Sequence, residues 1–300
     1  MKIAFENVDF NSSSGPNGFS RKLASSFIKG GHEITSNSPD IQLSFIQSFK
    51  KIAPTVQRLD GIYFNTEQDW EHLNNPIKKT YAESDAVIFQ TKFNKDLVEN
   101  FFGSRLNSHV IHNGTDLESI SNIPEADISN LGEFEKVWCC ASHWRPHKRL
   151  SENVQYFLDF SSDGDCLIVA GKDSQVPDHP RIFNVGNLSW ERLISVLKRS
   201  DYFLHLSWLD HCPNVVIDAR ASGCHVICSS SGGTHEISGK NSTVIEEDLW
   251  DFSPIKLYSP PVMDFSKKRI NAVDSDIDIR SVSNLYLEIF RKVLKYEIIG

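Results

Sequence analysis

What this chain lacks narrows it first. No apolar run approaches the roughly 20 residues a helix needs to cross a bilayer. The opening residues, MKIAFENVDF, reach acidic side chains too soon for a signal peptide's apolar core, so a cytoplasmic location is expected. There is no basic excess: 31 Lys and Arg face 39 Asp and Glu, a net charge of −8, which argues against a general nucleic-acid surface. No Cys-Xaa2-Cys pair occurs. The six cysteines all fall at or after Cys139, four of them (139, 140, 166 and 228) in strand-like runs, and are expected to be buried and reduced. The dinucleotide fingerprint Gly-Xaa-Gly-Xaa2-Gly is also missing, so NAD binding is not implied.

What remains is an ordinary globular composition, 40% hydrophobic and 23% charged over 300 residues, a length that suggests two domains. Strand-like and helical runs alternate. Lys2 to Glu6 reads as a strand, the polar stretch Asn11 to Gly18 as a loop, and Phe19 to Lys29 as a helix. Glycines such as Gly18 between a first strand and helix let backbone amides approach a ligand; a plain solvent turn is the alternative. The strand Thr55 to Leu59 runs into Arg58-Leu59-Asp60-Gly61. Ionic groups at a strand's carboxyl end face the ligand edge of an open sheet. Arg58, Asp60 and Asn65 are therefore acceptor-side candidates, Asp60 foremost, with a buried Arg58–Asp60 structural pair as the alternative. A helix over Lys92 to Phe102 is closed by Gly103, and Ser119 to Glu135, poor in large apolar residues, suits a linker.

After the strand Lys136 to Ser142 comes His143-Trp144-Arg145-Pro146-His147-Lys148-Arg149, then a helix over Leu150 to Phe160. Cations between strand and helix are placed to hold a diphosphate, unless they form an exposed basic turn. A second stretch, His205 to Glu236, reads strand, loop, helix, strand, loop. Asp210 lies in the first loop and Asp218 eight positions on, in the helix that Pro213 opens and Gly223 ends. Backbone N–H groups from Pro213 through Asn214 and Val215 suit a phosphate. The two carboxylates would repel one, and so match a hydroxyl-rich portion of the same ligand. Phosphate at one point and polyol at others describe a nucleotide sugar. Singly, Asp210 is an ordinary turn residue and Asp218 an ordinary helix N-terminal charge.

Asp-Xaa7-Asp, followed by Ala-Arg-Ala-Ser-Gly-Cys-His-Val-Ile and Ser-Gly-Gly-Thr-His-Glu, resembles the Glu-Xaa7-Glu segment of retaining glycosyltransferase family 4. Val-Ile-His-Asn-Gly-Thr-Asp at 110–116 resembles that family's crossing into its second domain. The resemblance implies an α/β protein of GT-B fold: two Rossmann-like domains facing each other across a deep cleft, with a C-terminal helix crossing back. Residues 1–118, joined by the helix 281–300, would form the acceptor-side domain, and 119–280 the donor domain. The implied reaction moves a sugar from a UDP- or GDP-linked donor to an acceptor hydroxyl, with retention and without a metal or other cofactor. Catalytic positions would be Asp210, Arg145, Lys148 and Asp60. Donor binding would fall to Asp218, His143, Pro213, Asn214, Val215, Gly232, Gly233 and Gly18. Strict spacing puts His143 at the family's arginine position, and Arg145 is expected to supply that charge instead. The acceptor would be a glycan, lipid or protein, with peripheral membrane contact compatible and nucleic acid excluded. An epimerase of the same fold, which would yield an isomerised donor, and a non-catalytic nucleotide-sugar-binding module are the rival readings. The run Asp274-Ser-Asp276-Ile-Asp278 imitates a metal motif, but its polar setting reads as solvated charge.

Overall fold

The structure is a computed structural model describing residues 1–12 and 14–299, the side chains of 296–299 excepted. The expected helix end at Gly300, and Ser13 of the expected loop, lie outside the described residues. Strands run β1 Lys2–Glu6, β2 Glu33–Ile34, β3 Ile41–Phe45, β4 Thr55–Leu59, β5 Ala86–Phe89, β6 Ser108–Val110, β7 Val137–Ala141, β8 Cys166–Ala170, β9 Ile182–Gly186, β10 Tyr202–His205, β11 His225–Ser229, β12 Thr243–Ile245 and β13 Lys268–Ile270. Helices are α1 Gly15–Lys29, α2 Trp70–Glu83, α3 Lys92–Phe102, α4 Leu117–Asn122, α5 Leu150–Phe160, α6 Trp190–Arg199, α7 Asn214–Ala221, α8 Thr234–Ile237 and α9 Ile279–Ile299. The chain divides into two compact units: unit 1 is Met1–Asp116, Phe252–Ile255 and Asp276–Gly300, and unit 2 is Leu117–Asp251 and Lys256–Ser275.

Among the described residues unit 1 holds a parallel six-stranded sheet, ordered β2-β1-β3-β4-β5-β6. All five positions of β3 and of β4 are buried. Such strands normally read as apolar runs because both faces are covered. Here Ile3, Ile41, Leu43 and Phe45 join Phe19, Leu23 and Phe27 of α1 and Val282, Tyr286 and Phe290 of α9 in one core. Residues 252–255 also return to this unit, where Ile255 N donates to Phe64 O (2.9 Å) and Thr66 N to Ile255 O (3.0 Å). The helix α1 starts at Gly15, four residues before the expected Phe19, because Pro16 is pre-set for a first turn that needs no donor there. Gly18 therefore sits inside the helix, its N–H on Ser14 O (2.8 Å), and not in a loop.

Unit 2 holds the order β13-β12-β11-β10-β7-β8-β9, parallel except for β13, which pairs antiparallel with β12. The sequence turns back between β9 and β10, so its switch point lies between β7 and β10, where open α/β sheets bind ligands at the carboxyl ends. Residues 119–135, read as a linker, carry the end of α4 and a one-turn 3-10 helix at Ser129–Leu131. The stretch is fixed to α6: Lys198 Nζ donates to Ile123 O, Ser195 Oγ to Pro124 O (2.8 Å) and Ala126 N to Ser195 O (2.9 Å). Low apolar content did not reveal this, because the bonds are to main-chain carbonyls. All six cysteines are buried and none forms a disulfide.

Candidate functional site

The loops after β7 and β10 meet at the switch point of unit 2. Lys148, in the 3-10 turn Pro146–Lys148, places its ammonium 2.5 Å from Asp210 Oδ2. The same carboxylate oxygen accepts from His205 Nε2 at 2.9 Å. The side chains of Lys148 and Asp210 are 18% and 13% exposed, so their attraction is poorly screened. Burial alone would raise the Asp210 carboxyl, but the Lys148 charge and the bonds from His205 and Lys148 outweigh it and hold it well below its ordinary value. Burial pushes His205 down, and His147 and His211 to about 3 and about 4. All three imidazoles are neutral at pH 7, and Lys148 is the cation that touches Asp210.

A carboxyl whose folded pKa is depressed adds stability above the unfolded value and loses it as pH falls through the folded one. Asp210 therefore contributes fully above about pH 4 and progressively less below it. Asp210→Asn is expected to lower stability at pH 7 by up to roughly 3 kcal/mol, since it leaves Lys148 without its counter-charge. The gap between the two proteins in urea midpoint should narrow below pH 4. A gap that stayed constant down to pH 2 would contradict the ion pair.

The backbone at Asp210 is held as firmly as its side chain. Gly232 has φ +85°, and a Cβ there would lie 2.4 Å from Asp210 O. Gly233 N donates to that oxygen at 2.8 Å, and Asp210 and Gly232 form a parallel bridge. The Gly-Gly pair, expected as a flexible ligand loop, thus braces Asp210 by close backbone approach. Leu209 before it takes φ 53° and donates its N–H to Ser231 Oγ (3.3 Å). Trp208 N donates to His147 O (2.7 Å), lacing the β10 loop to the β7 loop.

The remaining expected residues divide. Asp218, in α7, is buried and accepts from Trp190 Nε1 at 2.9 Å. Pro213 is the N-cap of α7 and not its first helical residue, with Asn214 and Val215 opening its first turn. His143 is exposed and bonds Asp173 Oδ2 (3.0 Å). Arg145 is exposed, with no side-chain hydrogen bond among the described residues. Arg149, in the same basic run, is instead a fully buried strut that pairs with Glu247 (2.7 Å) and donates to Pro261 O (2.8 Å). Its αL backbone, φ 53°, joins the 3-10 turn to α5.

In unit 1, Arg58 is fully buried between the rings of Phe19 (4.3 Å) and Phe45 (5.1 Å). It bonds Asn113 Oδ1 (2.7 Å), Tyr286 Oη (3.1 Å) and Asp60 Oδ1, so the structural alternative describes Arg58. Gln90 also donates to Asp60 Oδ1, while the buried Asp60 Oδ2 has no hydrogen-bond partner among the described residues. Burial raises the Asp60 carboxyl, and Arg58 pulls it back without cancelling the shift. Asn65 is buried and its Oδ1 accepts from Glu67 N (3.1 Å).

His205, Trp190 and Glu247 were not singled out from the sequence. His205 ends a buried strand, a position whose polar side chain faces the ligand edge, and that signal was available. Trp190 and Glu247 reach their partners from 28 and 98 residues away, beyond any local pattern. In the run 274–278, Asp274 pairs with Arg220 and Asp278 with Arg280 (2.8 Å). No group of three metal-ligating side chains occurs among the described residues, and no described helix is long and apolar enough to cross a membrane.

Residues 178–251, which include Asp210, Asp218 and Gly232, match the family model of glycosyl transferases group 1. The chain is 24% identical over 175 residues to a Campylobacter jejuni protein, an N-acetylgalactosamine-N,N'-diacetylbacillosaminyl-diphospho-undecaprenol 4-alpha-N-acetylgalactosaminyltransferase. The match covers 54% of this chain and 46% of that one, so it spans about half the length of its curated relative. In fold the chain is similar to sucrose-phosphate synthase from Thermosynechococcus elongatus (TM-score 0.70, 14% identity, 98% and 99% of the two chains). It is also similar to Anabaena HepE in complex with UDP-glucose (TM-score 0.60, 12% identity, 100% of each). The expected GT-B fold and the resemblance to glycosyltransferases are borne out. The enzyme class expected, a glycosyltransferase, is that of the matched family and of the Campylobacter protein.

Proposed function

We propose that the chain transfers a sugar from a nucleotide diphosphate sugar to an acceptor hydroxyl, with retention at the anomeric carbon. The observation that carries this reading is Lys148 set 2.5 Å from Asp210 at the switch point of the sheet that contains the family region. Departure of the sugar leaves negative charge on the diphosphate, and catalysis requires fixed positive charge where that charge appears. Lys148 supplies it from a partly buried position, and Arg145 supplements it from solvent. As the phosphate draws Lys148, Asp210 becomes an acceptor for the sugar's hydroxyls, still oriented by His205. Asp218, Pro213, Asn214, Val215, Gly232 and Gly233 complete the donor side. In the bond change, the anomeric carbon–phosphate oxygen bond breaks and the acceptor oxygen bonds the same carbon on the same face. The acceptor's proton passes to the departing phosphate oxygen. These side chains perform the charge neutralisation, so the reaction is read as metal-independent.

Unit 1 takes the acceptor, with the partnerless Asp60 Oδ2 receiving a hydroxyl proton donor. The Campylobacter relative's name specifies a diphospho-undecaprenol acceptor, and HepE was crystallised with UDP-glucose. A UDP-linked donor and a lipid-linked glycan acceptor are accordingly the first pair to try. UDP sugars are expected to raise the melting temperature more than GDP or ADP sugars, because a ligand that binds only the folded chain stabilises it by mass action. Transfer with any responsive donor should survive EDTA and yield a retained anomer. Asp60→Asn should raise the acceptor KM while leaving the donor-induced melting shift intact. An isomerised donor with no new glycoside would identify an epimerase instead, and the absence of any response to nucleotide sugars would sink both readings.

A further inference from the structure

Two carboxylates carry the donor reading, and in each of them one oxygen is taken by a ring N–H of the scaffold. His205 Nε2 donates to Asp210 Oδ2 (2.9 Å), and Trp190 Nε1 to Asp218 Oδ2 (2.9 Å). The first bond spans five residues and comes with the loop that follows β10. The second spans 28 residues and joins two helices, so it depends on how α6 is set against α7. Trp190 is the first residue of α6, a position whose own N–H has no partner within the helix. Ser189 before it caps the helix by accepting from Arg192 N (3.3 Å), which fixes how the chain enters. At the other end of α6, Cys224 Sγ donates to Leu197 O (3.1 Å) and Lys198 Nζ to Ile123 O. Ile194 and Leu197 are buried along its inner face. The helix is thus held at both ends, and the tryptophan at its head is a fixed donor.

In α7, Val216, Ile217, Asp218 and Ala219 are all buried, and Asp218 is only 4% exposed. A carboxylate among such neighbours is unfavourable unless it is hydrogen-bonded. The indole suits the place: its N–H donates and cannot accept, and its ring turns about only two bonds, so the oxygen it holds has one position. Asp218 lies four residues past Asn214, the first residue of α7, about 6 Å along the helix axis. It therefore meets the donor away from the bond that breaks beside Lys148, at a contact that is the same before and during cleavage.

We propose that Trp190 is a positioning residue, which holds the Asp218 carboxylate in the orientation that receives a donor hydroxyl. The inference rests on the donor role given to Asp218 above. Fixing the carboxylate in advance removes an ordering cost from binding. Because the contact does not change as the bond breaks, its loss falls on KM and not on kcat. Trp190→Phe keeps an aromatic ring and removes the N–H. It should raise the donor KM, and the Kd of the nucleoside diphosphate measured by calorimetry, roughly tenfold, with kcat within about threefold of the parent. UDP is the first probe, then GDP and ADP. In an Asp218→Ala background the same substitution should change that Kd by less than about twofold, since its partner is gone. A tryptophan that only supports the fold would instead lower kcat and the number of binding sites per chain at unchanged KM and Kd. That result would overturn the proposal, as would an equal rise in Kd in both backgrounds. The Kd measurement does not depend on transfer. A parent that binds UDP and forms no glycoside, with binding weakened by Trp190→Phe, would sink the transfer reading and sustain this one. A parent that binds none of the three diphosphates would sink both.

Discussion

Lys148→Ala is expected to lower kcat by about 10²–10³, the usual loss when one preorganised group that stabilises developing charge is removed. The size follows from position. The Lys148 side chain is only 18% exposed, and its partner Asp210 is 13% exposed, so solvent is a poor substitute for the missing ammonium. Arg145, exposed and tethered by a long side chain, recovers little because its charge is screened. The donor-induced melting shift should persist, since Asp218 and the α7 first turn are untouched. Lys148→Arg should recover part of the rate by restoring charge, though its planar fork does not reproduce a point charge. Combining Lys148→Ala with Asp210→Asn should cost less than the two single losses together, since the residues are in contact. A single-variant kcat within threefold of the parent would remove Lys148 from the chemistry.

Gly171→Ala should have the largest effect on stability. Gly171 follows β8 with φ +117°, and a Cβ there would lie 1.7 Å from Ser142 O, at the end of β7. Neither atom can retreat cheaply. Ser142 N donates to Ala170 O (3.3 Å), and Gly171 N to Gly186 O (2.7 Å), so both backbones are tied into the sheet. The clash and the disfavoured backbone together should cost roughly 4 kcal/mol or more, a large part of an ordinary domain's stability. Gly186→Ala is the matching control. Its φ is +67°, but nothing lies within 4 Å of the added carbon, so only backbone strain of about 1–2 kcal/mol is expected. Urea unfolding of the two variants, followed by tryptophan fluorescence, should separate them clearly. Equal midpoints would show that the β7–β8 ends can part without penalty.

Local chemistry made much of the fold legible. The helix Lys92–Phe102 is found with its expected bounds because both ends carry punctuation: Thr91 accepts from Asn94 N (3.1 Å) and Gly103 takes φ 88°. Ser189 likewise caps α6 through Arg192 N (3.3 Å). The polar strand β13 and the two-residue β2 carry no such signal, since their pairing partners, not their own residues, make them strands. The same limit applies to the candidate site. Lys148 and Asp210 were each visible beside a strand end, but a contact across 62 residues is a property of sheet order, not of spacing. Arg149 looked like its neighbours in the basic run and proved to be internal bracing, because burial depends on Glu247 and Pro261 arriving from far along the chain.

Unit 1 is built from three separated stretches, and its core contains Ile279, Val282, Tyr286 and Phe290 from the last helix. Tyr286 Oη also accepts a hydrogen bond from the sealed-in Arg58 guanidinium. A ribosome delivers Met1–Asp116 well before the α9 residues that complete that core. That earlier part must therefore wait, with Phe19, Phe27 and Phe45 imperfectly covered, until α9 emerges. Order of synthesis and order of completion run in opposite directions, which makes the nascent front half a natural client for chaperones.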